Sequence, residues 1–130
     1  MLTDQPLKLP THQMRITQEE VYHSSERISY MESIKNDRMA KKFLGKSLQG
    51  FPVNYQFVQQ LLESDRFIVE QWNQGKMFTD DCYLYGIDCI PPHPEVNYKK
   101  PILVLINSLD FSAGDFFPAI LQDNQRVVVM

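Results

Sequence analysis

A serine lies where an apolar stretch gives way to an amphipathic helix near the end of the chain. Residues 101–106 (PILVLI) are almost wholly apolar, as expected of a strand that is buried on both faces. After a short turn, Ser112 opens a segment whose apolar residues recur at helical spacing. The first N–H groups of a helix have no intrahelical partner, and the helix dipole favours negative charge there. This position suits a nucleophilic serine whose tetrahedral oxyanion is held by backbone N–H groups.

The same spacing fits a purely structural role for Ser112. Serine is among the preferred N-cap residues, and Asp115, three positions later, would complete a pair similar to a capping box. In the catalytic interpretation, the backbone N–H groups of Ala113 and Gly114 would contribute to an oxyanion hole. Asp115 would then only favour the helix through its dipole. The spacing by itself favours the cap, and both interpretations stay open at this point.

Composition excludes several classes of function. The 130 residues are 43% hydrophobic and 22% charged, which fits one domain, or a piece of one, with a real core. A net charge of −3 gives no reason to expect binding to nucleic acid or to an anionic membrane. No apolar run approaches the roughly 20 residues of a membrane span, and no signal peptide is visible. The sequence therefore does not predict a compartment.

The cysteines give no metal signal. Cys82 and Cys89 are separated by six residues and have no histidine at zinc-ligand spacing. We therefore expect two free thiols, with a disulfide between them left open, and neither a metal nor another cofactor.

The first part of the chain is predicted to be extended and then helical. Residues 1–16 carry two prolines and no helix signal. Thr17 and Glu20 fit a capping box, so a helix is expected to follow. Asn36 is expected to break or recap that helix, and Gly45 is a plausible end for a second helical piece.

The strongest helix signal begins at Asn54, a good N-cap, and ends near Gly75. Its apolar residues recur every three or four positions and form one face, which Asp65 alone interrupts. Trp72 lies on that face and is expected in the core or an interface. The chain stops at Met130 within an apolar run, which suggests a segment of a longer polypeptide.

Residues 107–129 (NSLDFSAGDFFPAILQDNQRVVV) resemble the nucleophile region of the C-terminal-processing, or tail-specific, serine peptidases. The resemblance is greatest to the subgroup of the chlamydial protease-like activity factor. The shared features are D-F-S-x-G-D (110–115), P-A-I-L-x-D-N (118–124), P-H-P (92–94) and Y-x-K-P (98–101). On this alignment Ser112 falls on the nucleophile, Asp115 on the acidic residue of the motif and residues 122–124 on the end of the helix.

The resemblance implies an α/β fold, a fragment of a catalytic domain of the crotonase and Clp-protease kind, with helices packed on a small sheet. Residues 1–16 would be an extended entry segment, and residues 17–130 a partial serine-peptidase catalytic domain. Within it, residues 17–75 would be the helical part and residues 82–130 the strand–turn–helix–strand part that carries the nucleophile. The implied chemistry is proteolysis of a protein or peptide substrate through an acyl-enzyme on Ser112. Members of the family are often exported by bacteria.

The resemblance also implies that catalytic groups are missing. A serine hydroxyl needs a general base, and the lysine, or the histidine and glutamate, of the resembled enzymes would lie outside these residues. Of the histidines present, His93 lies in the P-H-P loop, to which the family assigns no catalytic role. We therefore expect the isolated chain to be inactive. The alternatives are a half that a complementing chain completes, or a non-catalytic interaction or homodimerisation module in which Ser112 only caps a helix.

Overall fold

The computed structural model describes residues 2–130, and the chain divides into two compact units. The helical unit is Thr11–Gly86, and the terminal unit comprises residues 2–10 together with Ile87–Met130. The architecture is mixed α/β, with four α-helices and small two-stranded sheets among the described residues. The helices are α1 Gln18–Met31, α2 Asp37–Leu44, α3 Tyr55–Asn73 and α4 Ala113–Asp123, with a 3-10 turn at Leu84–Gly86. The strands are β1 Leu7–Lys8, β2 Ser47–Leu48, β3 Phe51–Pro52, β4 Cys89–Ile90, β5 Leu103–Val104 and β6 Val128–Val129.

Three short polar side chains start the helices of the helical unit, as the sequence predicts. The hydroxyl of Thr17 accepts from the N–H of Glu20 at 3.2 Å and caps α1. Asn36 recaps the chain before α2, and the Oδ1 of Asn54 accepts from the N–H of Phe57 at 2.8 Å before α3. The second half of the predicted capping box is replaced, because the carboxylate of Glu20 binds Arg27 instead.

Helix α3 packs along α1 and provides much of the buried core of the helical unit. Val58, Leu62 and Ile68 lie on its buried face, as the three-and-four spacing predicts. Trp72 is 40% exposed, so it belongs only partly to that core.

Asp65, which interrupts the apolar face of α3, has a hydrogen-bonding partner on the neighbouring helix. The Nε of Arg27 in α1 donates to both carboxylate oxygens of Asp65 at 3.1 Å, and its Nη2 donates to Oδ1 at 2.7 Å. Arg27 also binds Glu20 and the hydroxyl of Ser24. The buried carboxylate is therefore hydrogen-bonded and compensated by charge, which is the condition for keeping it in a core.

The terminal unit is built from both ends of the described chain. Strand β1 pairs antiparallel with β4, and β5 pairs parallel with β6, with Leu103 opposite Val128. Helix α4 connects β5 to β6, as a parallel pair requires, and buries Leu121. Asn124, just after α4, fixes β1: its amide accepts from the N–H of Lys8 and donates to the Lys8 carbonyl, both at 2.8 Å.

The expectation of a strand buried on both faces is wrong for this structure. Only Leu103–Val104 of residues 101–106 pairs as a strand, and Leu105 is 73% exposed. Ile106 and, on β6, Val128 are also exposed. A parallel sheet normally has layers on both faces, and no described residue of the terminal unit covers the outer side of this two-stranded pair.

Candidate active site

Ser112 lies at the N-terminal end of α4, where the backbone adopts a conformation that is rare for a residue with a side chain. Its φ is 57° and its ψ is −115°, and the residue is exposed. Such a conformation costs on the order of 1–3 kcal/mol unless the residue is glycine, and it persists only where the surroundings enforce it. Strained turns between a strand and a helix are also how some hydrolases present a nucleophilic serine.

The interpretation of Ser112 as a side-chain cap is wrong in this structure. Ser112 occupies the N-cap position, but its side chain makes no capping hydrogen bond. Its carbonyl oxygen instead accepts from the N–H groups of Asp115 at 3.1 Å and Phe116 at 3.0 Å. The positive φ directs the hydroxyl away from the geometry of an ordinary N-cap, which has extended backbone. The hydroxyl forms no hydrogen bond to any residue between 2 and 130.

The two residues that come after Ser112 differ in what their N–H groups can do. The N–H of Gly114 donates to the carbonyl of Phe111 at 3.1 Å and is therefore engaged. The N–H of Ala113, the first residue of α4, has no acceptor within the described part of the chain. Of the predicted oxyanion-hole pair, Ala113 thus has an available donor and Gly114 does not.

The turn before Ser112, which the sequence predicts, is closed by the side chains of Asn107 and Asp110, and neither of these was predicted as a site residue. The Oδ2 of Asp110 accepts from the N–H of Asn107 at 2.6 Å, and the Oδ1 of Asn107 accepts from the N–H of Leu109 at 2.8 Å. The backbone N–H of Asp110 also donates to the Asn107 carbonyl at 3.1 Å. Asn and Asp at the ends of a four-residue turn are a known turn signal, and that signal could have identified both residues.

None of the three histidines hydrogen-bonds to Ser112. In the terminal unit, the Nδ1 of His93 accepts from the N–H groups of Glu95 at 3.2 Å and Val96 at 3.0 Å, which orders its own loop. In the helical unit, His12 forms a backbone bridge, and the imidazole of His23 lies within 4 Å of two glutamates of α1. The described residues therefore place no base against the Ser112 hydroxyl.

Other candidate sites lie elsewhere. The helical unit contains a largely apolar cavity of about 460 Å³, and Arg27, Asp65 and Tyr85 are among the residues that line it. Cys82 and Cys89 are free thiols. Residues 2–130 contain no cluster of three His, Cys, Asp or Glu side chains that could hold a metal ion, and none of their helices is long and apolar enough to cross a membrane.

Comparison with protein families gives a match over nearly the whole chain: the profile of Peptidase family S41 matches residues 11–130. A protein of Chlamydia muridarum (strain MoPn / Nigg) is 40% identical over 131 aligned residues, and one of Chlamydia trachomatis serovar D is 38% identical. A protein of Chlamydia pneumoniae is 34% identical. Each alignment includes 100% of this chain but only 21–22% of the relative. The chain thus spans about a fifth of the length of these relatives.

Comparison with solved structures likewise matches this chain to part of a larger protein. The chain is similar to mature CPAF, with a TM-score of 0.83 and 38% sequence identity, over 99% of this chain and 25% of that one. It is similarly close to mature CPAF complexed with lactacystin, with a TM-score of 0.82. The strained turn and the start of α4 therefore lie in a segment whose fold matches a quarter of a larger protein.

Proposed function

Because the chain belongs to peptidase family S41, we propose that it carries the nucleophile of a serine-type endopeptidase and that this nucleophile is Ser112. The observation that supports the proposal best is the backbone of Ser112, which is strained although its side chain caps nothing. A strained backbone whose side chain makes no stabilising hydrogen bond is typical of functional positions. The hydroxyl is exposed at a turn between strand and helix, as a nucleophile must be to meet a peptide bond.

In the proposed mechanism, the Oγ of Ser112 attacks the scissile carbonyl carbon and transfers its proton to a base outside the described residues. The carbonyl oxygen becomes an oxyanion, and the N–H of Ala113 is the donor at hand to stabilise it, assisted by the positive end of the α4 dipole. The C–N bond then breaks, the amine leaves with the proton, and an ester remains on Ser112. Water hydrolyses that ester in the second half of the reaction.

The finer fold assignment belongs to the same proposal. A parallel pair of strands connected by a helix, β5–α4–β6, is compatible with a piece of the crotonase and Clp-protease type of domain. Such a domain would have further strands and helices over the exposed outer side of β5 and β6. The chain would then act on protein or peptide substrates only when other segments supply the base and complete this sheet.

Fluorophosphonate labelling tests the proposal. The isolated chain is expected to remain unlabelled, because the Ser112 hydroxyl has no hydrogen bond to a base among the described residues. A chimera in which the chain replaces the aligned quarter of mature CPAF should be labelled at Ser112 and should cleave peptides. Ser112→Ala should abolish both signals. Ser108→Ala, a control in the same turn, should leave both intact. A folded chimera whose labelling does not depend on Ser112 would overturn the assignment.

A non-catalytic interaction or dimerisation module is the second candidate, and one observation favours it. Large apolar side chains of the terminal unit are strongly exposed, among them Leu105, Leu109 and Phe111, the last at 79%. Exposed apolar patches of this kind mark association surfaces. Under this alternative, sedimentation analysis should show a dimer of the isolated chain that Phe111→Ser weakens, while the chimera remains unlabelled.

A further inference from the structure

Both sides of Ser112 must be fixed if its strained conformation is to persist. On the helix side, its carbonyl accepts from the N–H groups of Asp115 and Phe116, so the first turn of α4 fixes the ψ angle of Ser112. On the strand side, the short four-residue turn Asn107 to Asp110 leads into Phe111 and then Ser112. A turn in which Asn107, Ser108 and Leu109 are all exposed would not by itself enforce so strained a conformation.

Asp110 is the residue of that turn that makes side-chain contacts in both directions. Its Oδ2 accepts from the N–H of Asn107 at 2.6 Å, a short hydrogen bond of the kind that a charged acceptor gives. This bond joins the end of the apolar run to the residue two positions before Ser112. The side chain of Asn107 closes the same turn from the other end through the N–H of Leu109.

The other side of Asp110 faces the start of α4. A Cβ placed on Gly114 would lie 3.5 Å from the Cβ of Asp110 and 3.7 Å from its Oδ1. The Asp110 side chain therefore lies beside Gly114, two residues beyond Ser112, where it would be in van der Waals contact with any side chain at that position. A carboxylate at this end of a helix is also favoured by the dipole. Asp110 thus contacts the chain before and after Ser112 and spans it.

We infer that Asp110 is a positioning residue: it holds Ser112 in its strained conformation and so aims the hydroxyl and the N–H of Ala113 at the same point. The inference rests on the proposed function of Ser112. It does not make Asp110 a base, because the Ser112 hydroxyl forms no hydrogen bond to this carboxylate, whose Oδ2 accepts from the N–H of Asn107. Asp115, the other acid at this helix end, makes no such side-chain contact and serves as the matched control.

The first experiment needs no activity and uses the 130-residue chain. The Cα and carbonyl NMR chemical shifts of Ser112 report its positive φ. They should be retained in Asp110→Asn, whose amide oxygen can still accept from Asn107, and in Asp115→Ala. In Asp110→Ala they should move toward values of negative φ, and the Asn107 amide should lose hydrogen-exchange protection. Unchanged Ser112 shifts in a folded Asp110→Ala would overturn the inference.

If Asp110→Ala yields no folded sample, Asp110→Glu tests the inference instead. This variant keeps the negative charge but displaces the carboxylate oxygen that accepts from the N–H of Asn107. Ser112 shifts equal to those of the wild type in Asp110→Glu would overturn the inference, and shifted values would support it.

The second experiment measures fluorophosphonate labelling in the same CPAF chimera. A misplaced nucleophile costs on the order of 10²-fold, so Asp110→Ala should label about 10- to 100-fold more slowly. Asp110→Asn should restore most of the rate, and Asp115→Ala should retain it. If Ser112→Ala leaves labelling unchanged, the proposed function fails while the chemical-shift result stands on its own. If labelling depends on Ser112 but not on Asp110, the positioning role alone is refuted.

Discussion

Replacing Arg27 by methionine is expected to leave a carboxylate buried without its counter-ion. The Asp65 side chain is only 9% exposed and accepts three hydrogen bonds from the Arg27 guanidinium, while Arg27 itself is 48% exposed. Removing one partner of a fully buried pair costs about 3–5 kcal/mol, whereas an exposed pair contributes about 0–1 kcal/mol. Because water can reach the Arg27 side of this pair, we expect Arg27→Met to lower the free energy of unfolding by about 2 kcal/mol.

The chain contains a matched control for burial. The Nη2 of Arg66 in α3 binds the Oε1 of Glu32 at 2.7 Å, just after the end of α1, with side chains 55% and 50% exposed. Arg66→Met removes an arginine–carboxylate ion pair that is exposed to solvent, and it should lower the free energy of unfolding by less than about 0.5 kcal/mol. The double variant Arg27→Met/Asp65→Leu removes both charges and completes the apolar face of α3. It should recover most of the lost stability, because an apolar pair of similar volume often replaces a buried ion pair without loss.

Urea denaturation, followed by circular dichroism and by the fluorescence of Trp72, measures these differences. Trp72 is the single tryptophan and lies on α3 itself, so its signal reports the unit that contains the pair. The hydrogen bonds that Arg27 donates to Asp65, with a smaller contribution from Glu20, raise the pKa of Arg27 above its ordinary value despite the opposing effect of burial. A raised pKa means that the contribution of Arg27 is lost only as the pH rises through that higher value. The deficit of Arg27→Met should therefore be the same at pH values of about 7 and about 9.

Two results would refute this reasoning. One is a cost of Arg27→Met no larger than that of Arg66→Met, which would mean that burial does not set the magnitude. The other is a double variant as unstable as Arg27→Met, which would mean that the packing of α1 on α3, and not the orphaned carboxylate, accounts for the loss.

Three further outcomes are expected for the terminal unit. Ser112→Gly should relieve backbone strain and raise hydrogen-exchange protection of α4 by about 1 kcal/mol, whereas a residue acting as a cap would give no gain. Asn124→Ala should remove both hydrogen bonds to Lys8 and lower the exchange protection of the Lys8 amide by about 1–2 kcal/mol; unchanged protection would argue against the fastening of β1. The hydrogen bond from Lys99, and then its charge, lower the pKa of Asp4, so this pair stabilises above the ordinary pKa and is lost as the pH falls through the lowered one. In an NMR titration, Lys99→Met should return the pKa of Asp4 to its ordinary range, and a pKa that stays low would contradict this assignment.

The helix starts were predictable because their determinants are local. Thr17, Asn36 and Asn54 each accept from an N–H three positions ahead, and a cap of that kind is written in a few consecutive residues. The spacing of apolar residues likewise located α3 and its buried face. It also located Asp65 as an exception, but the partner that explains the exception is 38 positions away on another helix. No local pattern points to such a partner.

The position of the candidate site could be predicted from the sequence, but the backbone conformation of Ser112 could not. The residues around Ser112 indicate a strand, a turn and a helix start, and they resemble one family strongly enough to suggest a nucleophile. We infer that the positive φ of Ser112 depends on the Asp110 side chain, which binds the N–H of Asn107 and lies beside Gly114, and residue propensity does not encode these contacts. The preference of serine for N-cap positions therefore favours a cap, whereas the structure has a strained backbone and no capping hydrogen bond at Ser112.

Burial of residues 101–106 could not be predicted for a different reason. An apolar run indicates that a strand is suited to the interior of a protein. Whether the strand is buried depends on other strands and helices that pack over its two faces. In the terminal unit only β6 is beside β5, so Leu105 and Ile106 remain exposed.

The pairing of β1 with β4 makes the helical unit an insertion in the chain order of the terminal unit. Leu7 and Lys8 are synthesised well before their partners, because their strand partner comes about eighty positions later and Asn124 more than a hundred. Residues 11–86 form a compact unit of their own, so their helices and core can form before those partners are synthesised. The terminal unit must instead bring together two segments separated by a folded insert, which is entropically costly and slow. We therefore expect the helical unit to form before the terminal unit, so that the candidate nucleophile reaches its final geometry after the helical core has formed.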